Sequence, residues 1–168
     1  LRLTCLATAC LLASVVADIY MVKDINSGGD SDPRYLTIFD GKLFFSANDG
    51  TNGYELWSSD GTSGGTSMVK DIHSGSGGSP GYLTVFDGKL FFYAQDDTNG
   101  QELWSSDGTS VGTSMFKNIN PGSGHSSPGY LTIFDNKLFF RATDGTNGKE
   151  LWSSDGTSGG TSMVKDIH

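Results

Sequence analysis

The chain has 168 residues, 24 of them glycine, and a formal net charge of −8. This acid excess, without any cluster of lysine and arginine, argues against nucleic acid and anionic lipid surfaces as partners. Its 10 Phe, 6 Tyr and 3 Trp recur at fixed places, a register that a disordered chain would not keep.

The first predicted element is a secretory signal peptide over residues 1–17. Arg2 precedes an almost continuous apolar or small stretch, residues 3–16, and Ala17 follows as a small residue suited to cleavage. Such a stretch is too short for a comfortable membrane span. The alternatives are a buried N-terminal strand, an uncleaved anchor, or a lipoprotein site at Cys10.

Cleavage after residue 17 would change both the charge and the redox chemistry of the chain. Loss of Arg2 takes the formal charge from −8 to −9, and both Cys5 and Cys10 are removed. Residues 18–168 could then form no disulfide, although secretion would permit one. We therefore expect a secreted or cell-surface protein with no membrane span after signal cleavage.

The remaining chain is organised by an internal repeat. The sequence Glu-Leu-Trp-Ser-Ser-Asp-Gly-Thr occurs three times, and its tryptophans Trp57, Trp104 and Trp152 are 47 and then 48 residues apart. Self-similarity at such a period indicates a repeat architecture. The predicted divisions are a leading strand and linker over 18–34 and three repeats over 35–81, 82–129 and 130–168.

Each repeat is predicted to contain four β-strands. In the second repeat these are residues 82–86, residues 90–94, a strand beginning at Glu102, and residues 113–119, separated by Asp-Gly and other turn sequences. Residues 19–25 have the sequence of a fourth strand and are predicted to be one. No segment shows a helical period, so we expect an all-β protein.

Strand patterning and connection lengths favour a β-propeller. The strands carry apolar side chains on both faces, which indicates sheets covered on both sides. Connections within a repeat are short, whereas the Gly-, Ser- and Pro-rich link between repeats is the longest. A β-propeller-like array of four-stranded antiparallel blades, part of a larger ring, satisfies both features. A β-solenoid is the alternative architecture, and a dimer of two three-blade halves is an alternative route to a closed ring.

The repeat also resembles a known family. The segment Glu-Leu-Trp-Ser-Ser-Asp-Gly-Thr, followed by Gly-Thr-Ser-Met-Val-Lys-Asp-Ile, is similar to the ELWxxDGT repeat of secreted and cell-surface proteins. The resemblance covers essentially the whole chain after residue 17. It implies blade-like repeat arrays and export, and it implies no common reaction.

Two sets of turn residues are candidates for structural or metal-binding roles. The aspartates and glycines of the Asp-Gly-Thr turn are predicted to form Asx-type turns with a positive φ at glycine; they are Asp60, Asp107, Asp155, Gly61, Gly108 and Gly156. The loops between the second and third strands carry oxygen ligands suited to calcium, without the spacing of an EF-hand. The candidate calcium ligands are Asp49, Asn52, Asp97, Asn99, Asp144 and Asn147.

Tryptophan and glutamate recur next to each other in every repeat. The tryptophans could stack on sugars, but a residue identical in every repeat is more typical of packing between sheets. The neighbouring glutamates Glu55, Glu102 and Glu150 are spread around a ring, so they do not converge on one bond as a glycosidase pair would. We expect them to hold loops or to pair with Lys23, Lys70, Lys117 and Lys165.

A catalytic site on a repeat scaffold should break the symmetry of the repeat, and the breaks are few. They include Ser46, Tyr93 and Arg141 at one equivalent position, and Arg34 where the other repeats have glycine. None forms a catalytic triad, a zinc set or a phosphate loop. We expect a non-catalytic module, without cofactor, for binding or adhesion to an extracellular protein or glycan, with self-association possible through open blade edges. The alternatives are a fragment of a propeller glycosidase or lyase whose catalytic residues lie elsewhere, and a structural spacer.

Overall fold

The computed structural model describes residues 19–167, so the predicted signal peptide lies outside the described residues. Within that range the chain forms twelve β-strands. The first repeat contains β1 (Arg34–Phe39), β2 (Lys42–Asn48), β3 (Tyr54–Ser59) and β4 (Ser67–Lys70). The second contains β5 (Gly81–Phe86), β6 (Lys89–Asp96), β7 (Gly100–Ser106) and β8 (Ser114–Lys117). The third contains β9 (Gly129–Phe134), β10 (Lys137–Thr143), β11 (Lys149–Ser154) and β12 (Ser162–Lys165).

The strands form three separate four-stranded antiparallel sheets, each a meander in chain order. We call them blade 1 (β1–β4), blade 2 (β5–β8) and blade 3 (β9–β12). The first strand of each blade contacts the first strand of the next, as the inner strands of a propeller do. The predicted all-β, propeller-like fold is therefore confirmed, as an open array of three blades.

Short hairpins set the register inside each blade. Asp40 and Gly41 join β1 to β2 with φ values of 46° and 70°, and Asp87 and Gly88 repeat this at 46° and 70°. Positive φ at both central residues is the type I′ geometry that matches the twist of the flanking strands. The Asp-Gly sequence therefore fixes the first pairing of each of these blades.

The blades stack face to face through apolar side chains. Leu56 of blade 1 and Trp104 of blade 2 belong to one buried cluster, and Leu103 of blade 2 and Trp152 of blade 3 belong to the next. Each leucine is fully buried, with 0% of its surface exposed for both Leu56 and Leu103. Burying such a side chain contributes roughly 1.5–3 kcal/mol, so the stacking of blades is a main source of stability.

The predicted leading strand, residues 19–25, is wrong. This segment makes no β-ladder in the structure, and Ile19 and Tyr20 are exposed. A fourth strand needs the third strand of its own blade as partner, and no described strand occupies that place next to residues 19–25. Ile25 nevertheless packs against the buried cluster of Phe45, Ala47 and Trp57 in blade 1. No helix within residues 19–167 is long and apolar enough to cross a membrane.

Candidate functional site

Three tyrosines form a contiguous row across the inner strands. Tyr35, Tyr82 and Tyr130 are the second residues of β1, β5 and β9, and their ring centroids are 5.7 Å and 5.6 Å apart in sequence order. Tyr35 is 40% exposed and Tyr130 is 63% exposed, while Tyr82 between them is half-buried. We call this row the tyrosine ladder. It brings residues about 47 positions apart in sequence, by the repeat period, into one aromatic surface.

The backbone at each tyrosine is unusual. The φ angles are 57°, 55° and 56° for Tyr35, Tyr82 and Tyr130, in the left-handed region that a bulky side chain rarely adopts. Strand pairing slips at the same place in every blade, so each tyrosine lies in a β-bulge. The threonine two residues later donates its hydroxyl to the tyrosine carbonyl at 3.0–3.2 Å. Bulges re-aim side chains, and here they place the three rings in one row.

The symmetry breaks in the sequence lie beside this ladder. In each blade a large side chain on one strand faces a small residue on the neighbouring strand. The large residue is on the first strand in blade 1 and on the second strand in blades 2 and 3. A Cβ on Gly81, for example, would lie 2.4 Å from Cε1 of Tyr93, so glycine makes room for that ring. The cross-strand pairs are Arg34 with Ser46, Gly81 with Tyr93, and Gly129 with Arg141.

Two arginines stand at the ends of the ladder with different partners. Arg34 forms an ion pair with Asp32 and lies 5.0 Å from the ring centroid of Tyr54. Arg141 lies 4.8 Å from the centroid of Tyr130. The Nε atom of Arg141 is buried and has no hydrogen-bond partner within residues 19–167. The charge of Arg34 is thus neutralised by Asp32. Arg141, by contrast, has a hydrogen-bond donor, its Nε, that no described residue accepts from.

Tyr93 closes one side of the ladder. Its ring centroid is 5.7 Å from that of Tyr82. Burial, followed by a hydrogen bond with Tyr35, raises the pKa of Tyr93 to about 12, so the phenol is neutral at physiological pH. A hollow of about 70 Å³ opens beside it, lined by Arg34, Tyr54 and Ser46 among others. The site therefore combines aromatic faces with hydroxyl and guanidinium donors.

The candidate calcium loops use their carboxylates on their own backbone. Asp49 accepts hydrogen bonds from the amides of Thr51 and Asn52 at 2.9 and 2.7 Å, and from the side chain of Asn52 at 2.7 Å. Asp144 and Asn147 repeat this arrangement in blade 3. Backbone hydrogen bonds hold the pKa of Asp144 below its usual value. No group of three or more metal-ligating side chains occurs in the described part of the chain.

In blade 2 the predicted ligand Asp97 is displaced from this role. Asp96 accepts the amides of Thr98 and Asn99 at 2.8 and 2.6 Å, as Asp49 and Asp144 do in the other blades. Asp97 instead lies 2.9 Å from Nε2 of His73. The assignment of Asp97 as the equivalent residue is therefore corrected to Asp96, which lies one repeat period, 47 and 48 residues, from Asp49 and Asp144, whereas Asp97 aligns with Gly50. Calcium binding at these loops stays a prediction.

The aspartates of the Asp-Gly-Thr turns close three matching loops. Asp60 accepts the amide of Thr62 at 2.9 Å and its hydroxyl at 2.7 Å, and Asp107 and Asp155 do the same with their threonines. The glycines that follow, Gly61, Gly108 and Gly156, have φ values of 90°, 92° and 94°. These turns are structural in each blade and leave no carboxylate directed at a shared site.

The repeated glutamates hold the linkers between blades. Glu55 accepts the amides of Ile72, His73 and Gly78 at 2.7–3.1 Å. Burial raises the pKa of Glu55, against the opposing effect of these amides. Glu102 holds the next linker in the same way, and burial raises its pKa too.

The repeated lysines bond to carbonyls, so the predicted pairing of these glutamates with lysine is not what holds the linkers. Lys70 donates to the carbonyl of Ser110 and Lys117 to that of Ser158, at 3.2 and 3.0 Å, and Lys23 donates to the carbonyl of Thr66 at 2.7 Å. Lys70 and Lys117 therefore each reach across to the following blade.

Trp104 and Trp152 pack between blades and Trp57 packs in the cluster that includes Ile25, so none of the three offers a sugar-stacking face. Trp57, Trp104 and Trp152 are 6%, 5% and 8% exposed. The indole N–H of Trp152 donates to the carbonyl of Ala142 at 3.0 Å. The equivalent atoms of Trp57 and Trp104 are buried without a partner in the described range. The tyrosine ladder therefore offers a contiguous exposed aromatic surface that the tryptophans do not, although sequence reasoning treated its tyrosines as ordinary strand residues.

Comparison with known proteins identifies no family. No protein-family model matches the chain, and neither does any curated protein. Among solved structures it is similar to the computationally designed Ika8 protein, with a TM-score of 0.45 and 20% identity over 88% of this chain and 40% of that one. It is also similar to Bacteroides ovatus xyloglucan PUL GH43B, with a TM-score of 0.45 and 21% identity over 82% of this chain and 29% of that one. The chain thus spans less than half the length of either protein, and likenesses this distant carry no argument about function.

Proposed function

We propose that the chain is a secreted or cell-surface binding module, without catalytic activity, that contacts a glycan or protein ligand through the tyrosine ladder. The observation that carries the proposal is the row of three tyrosine rings at 5.6–5.7 Å spacing with up to 63% exposure. Exposed, contiguous aromatic surface is unusual on a protein without a ligand. Export is supported by the apolar N-terminal stretch and the resemblance to the ELWxxDGT repeat.

A glycan is the favoured ligand class. A pyranose ring presents a C–H face that packs on an aromatic ring and hydroxyls that need hydrogen-bond partners, and tyrosine offers both an apolar face and a polar tip. Successive sugars could occupy successive rings of the ladder. The backbone strain at each tyrosine also fits a functional surface, since strained positions cluster at ligand sites.

Arg141 favours an acidic glycan over a neutral one. Its guanidinium lies over the ring of Tyr130 and its Nε has no partner in residues 19–167. A guanidinium fork matches a carboxylate in shape and charge. A uronic acid stacked on Tyr130 would place its carboxylate beside this group, although the chain as a whole is acidic.

We propose that the module is not catalytic because its repeated acidic side chains are hydrogen-bonded to backbone amides. Glu55 and Glu102 are buried and hydrogen-bonded to linker amides. The turn aspartates Asp60 and Asp107 accept bonds from their own loops. A pair of carboxylates for hydrolysis would need to face one substrate, and these acids face different backbone segments.

Affinity electrophoresis through gels containing soluble polysaccharides tests the proposal. Alginate and polygalacturonate serve as acidic probes, and dextran and galactomannan as neutral ones. We expect retardation by at least one acidic polysaccharide, and a loss of about tenfold in affinity for Tyr130→Ala, corresponding to about 1.4 kcal/mol for one lost stacking contact.

Tyr20→Ala is the matched control, because Tyr20 is 73% exposed and lies outside the ladder. It should migrate like the unaltered protein. Arg141→Gln should weaken binding to the acidic probes more than to any neutral one. Unretarded migration in all four gels, or equal retardation of the Tyr130→Ala variant and the unaltered protein, would contradict the proposal.

A further inference from the structure

Each blade presents two different apolar faces. The leucine face of blade 1 consists of Phe39, Phe44, Leu56, Val69 and Ile72, and its tryptophan face of Leu36, Leu43, Phe45, Trp57 and Met68. At both internal interfaces the leucine face of one blade packs on the tryptophan face of the next. This contact occurs twice with equivalent residues, so the structure itself shows what covers each kind of face.

Within residues 19–167 no blade covers the leucine face of blade 3. Leu151 is 45% exposed where its equivalents Leu56 and Leu103 are 0% exposed. Phe134 is 69% exposed, against 9% for Phe86 at the same position in blade 2. Ile167 is 73% exposed, whereas its counterparts in the two other repeats are buried.

The tryptophan face of blade 1 is incompletely covered. Leu36 is 58% exposed, against 8% for its equivalent Leu83. A hollow of about 230 Å³ lies beside it, with Leu43, Phe45 and Ile25 in its walls. At the equivalent places of blades 2 and 3, a phenylalanine and a leucine of the preceding blade pack into the interface.

We propose that the leucine face of blade 3 docks onto the tryptophan face of blade 1 in a second copy of this chain. The two faces match the two sides of the internal interfaces position by position, and the leucine face of blade 3 differs from that of blade 2 in having Val164 in place of Phe116. The hydrogen bond that a lysine makes across each internal interface can also be repeated. Lys70 and Lys117 donate to the carbonyls of Ser110 and Ser158 on the following blade. Lys165 has the same position in blade 3, and the matching acceptor is the Ser63 carbonyl of the second copy.

Docking would exchange one segment for an identical one. Residues 21–25 and residues 163–167 have the same sequence, Met-Val-Lys-Asp-Ile. The first of these segments lies against the tryptophan face of blade 1, where Ile25 packs and Lys23 donates to the carbonyl of Thr66. Residues 163–167 of the arriving copy would take the place of this segment, with Lys165 donating to the Ser63 carbonyl where Lys23 now donates to that of Thr66. The exchange is therefore nearly neutral, and the burial of Leu36, Leu151 and Phe134 is the net gain.

Size-exclusion chromatography with light scattering, over a concentration series, tests this contact. We expect the mass of the unaltered protein to exceed that of a monomer and to fall on dilution. Leu151→Asp and Leu36→Asp, on the two opposed faces, should each shift the protein to monomer. Val111→Asp is the control, because Val111 is 95% exposed on the loop after β7, away from both faces, and it should not change the mass.

A mixing experiment distinguishes this head-to-tail contact from others. The Leu151→Asp variant keeps an intact tryptophan face, and the Leu36→Asp variant keeps an intact leucine face. An equimolar mixture of the two monomers should therefore form a dimer through one undamaged contact, which also shows that both variants are folded. A contact between two leucine faces would not be restored by mixing.

Three results would overturn the proposal. They are a monomeric unaltered protein at every concentration, a mixture that stays monomeric, and a Val111→Asp variant that dissociates as fully as Leu151→Asp. The first would mean that the faces do not bind one another, the second that the contact is not head to tail, and the third that association depends on general surface apolarity.

Discussion

Some residues of the repeat, such as those of the Asp-Gly-Thr turns, have structural roles, whereas the tyrosines form the candidate binding surface. The Asp-Gly-Thr turns could be predicted from the sequence, because an Asx turn followed by glycine has a local signature. The tyrosine ladder could not, since its rings meet only when three inner strands are placed side by side. Positive φ at Tyr35, Tyr82 and Tyr130 opposes local propensity and has no signature in a single sequence.

The turn glycines offer a stability test at this scale. Gly61 has a φ of 90° and open space where a Cβ would lie, and Gly64 has the same open space without a positive φ. We expect Gly61→Ala to lower the free energy of unfolding by about 1–2 kcal/mol through backbone strain alone, and Gly64→Ala to have little effect. Urea denaturation of both variants measures the difference, and equal losses would show that strain at Gly61 is absent.

At the scale of elements, the sequence predicted the strands better than their partners. The hairpins, the four strands of each repeat and the long linkers follow from turn residues and apolar patterning. The leading strand, residues 19–25, was predicted from its similarity to β4, β8 and β12 and is wrong, because strand formation depends on a neighbour. The choice of Asp97 over Asp96 has a different cause, because Asp96 keeps the repeat spacing to Asp49 and Asp144 and could be identified from the sequence alone.

The linkers depend on the buried glutamates, which makes Glu102 a second stability test. Glu102→Ala would leave the amides of Ile119 and Asn120 without their acceptor, whereas the Ser126 amide keeps its hydrogen bond to the carbonyl of Gln101. Buried donors without partners cost about 1–3 kcal/mol each, so we expect a loss of roughly 3 kcal/mol or more in urea unfolding.

Gln101→Ala is the neighbouring control, because the Gln101 side chain makes no hydrogen bond within the described residues and its backbone bonds remain. Its effect should stay within about 0.5 kcal/mol, as for other surface changes. Similar losses for the two variants would mean that the linker is held by packing and that Glu102 contributes little.

On the scale of the whole molecule, stability should follow how many faces of a blade are covered. Blade 2 packs on a neighbour through both faces, whereas the leucine face of blade 3 carries the exposed Leu151. Regions with fewer buried apolar contacts open more often. The sequence Glu-Leu-Trp-Ser-Ser occurs in β3, β7 and β11 alike, so these strands have the same intrinsic amide exchange chemistry. Any difference in their exchange therefore reports their surroundings in the fold.

We expect hydrogen–deuterium exchange, followed by mass spectrometry on dilute protein, to be slowest in β7 and fastest in β11. Incomplete burial of a leucine forgoes up to roughly 1.5–3 kcal/mol, and each 1.4 kcal/mol corresponds to a tenfold change, so exchange in β11 should be about tenfold faster or more. β3 should lie between them, because residues 21–25 cover part of its tryptophan face. At high protein concentration β11 should slow toward β7 if a second copy covers the leucine face. Equal exchange in the three strands would mean that the blades unfold as one cooperative unit whatever covers their faces.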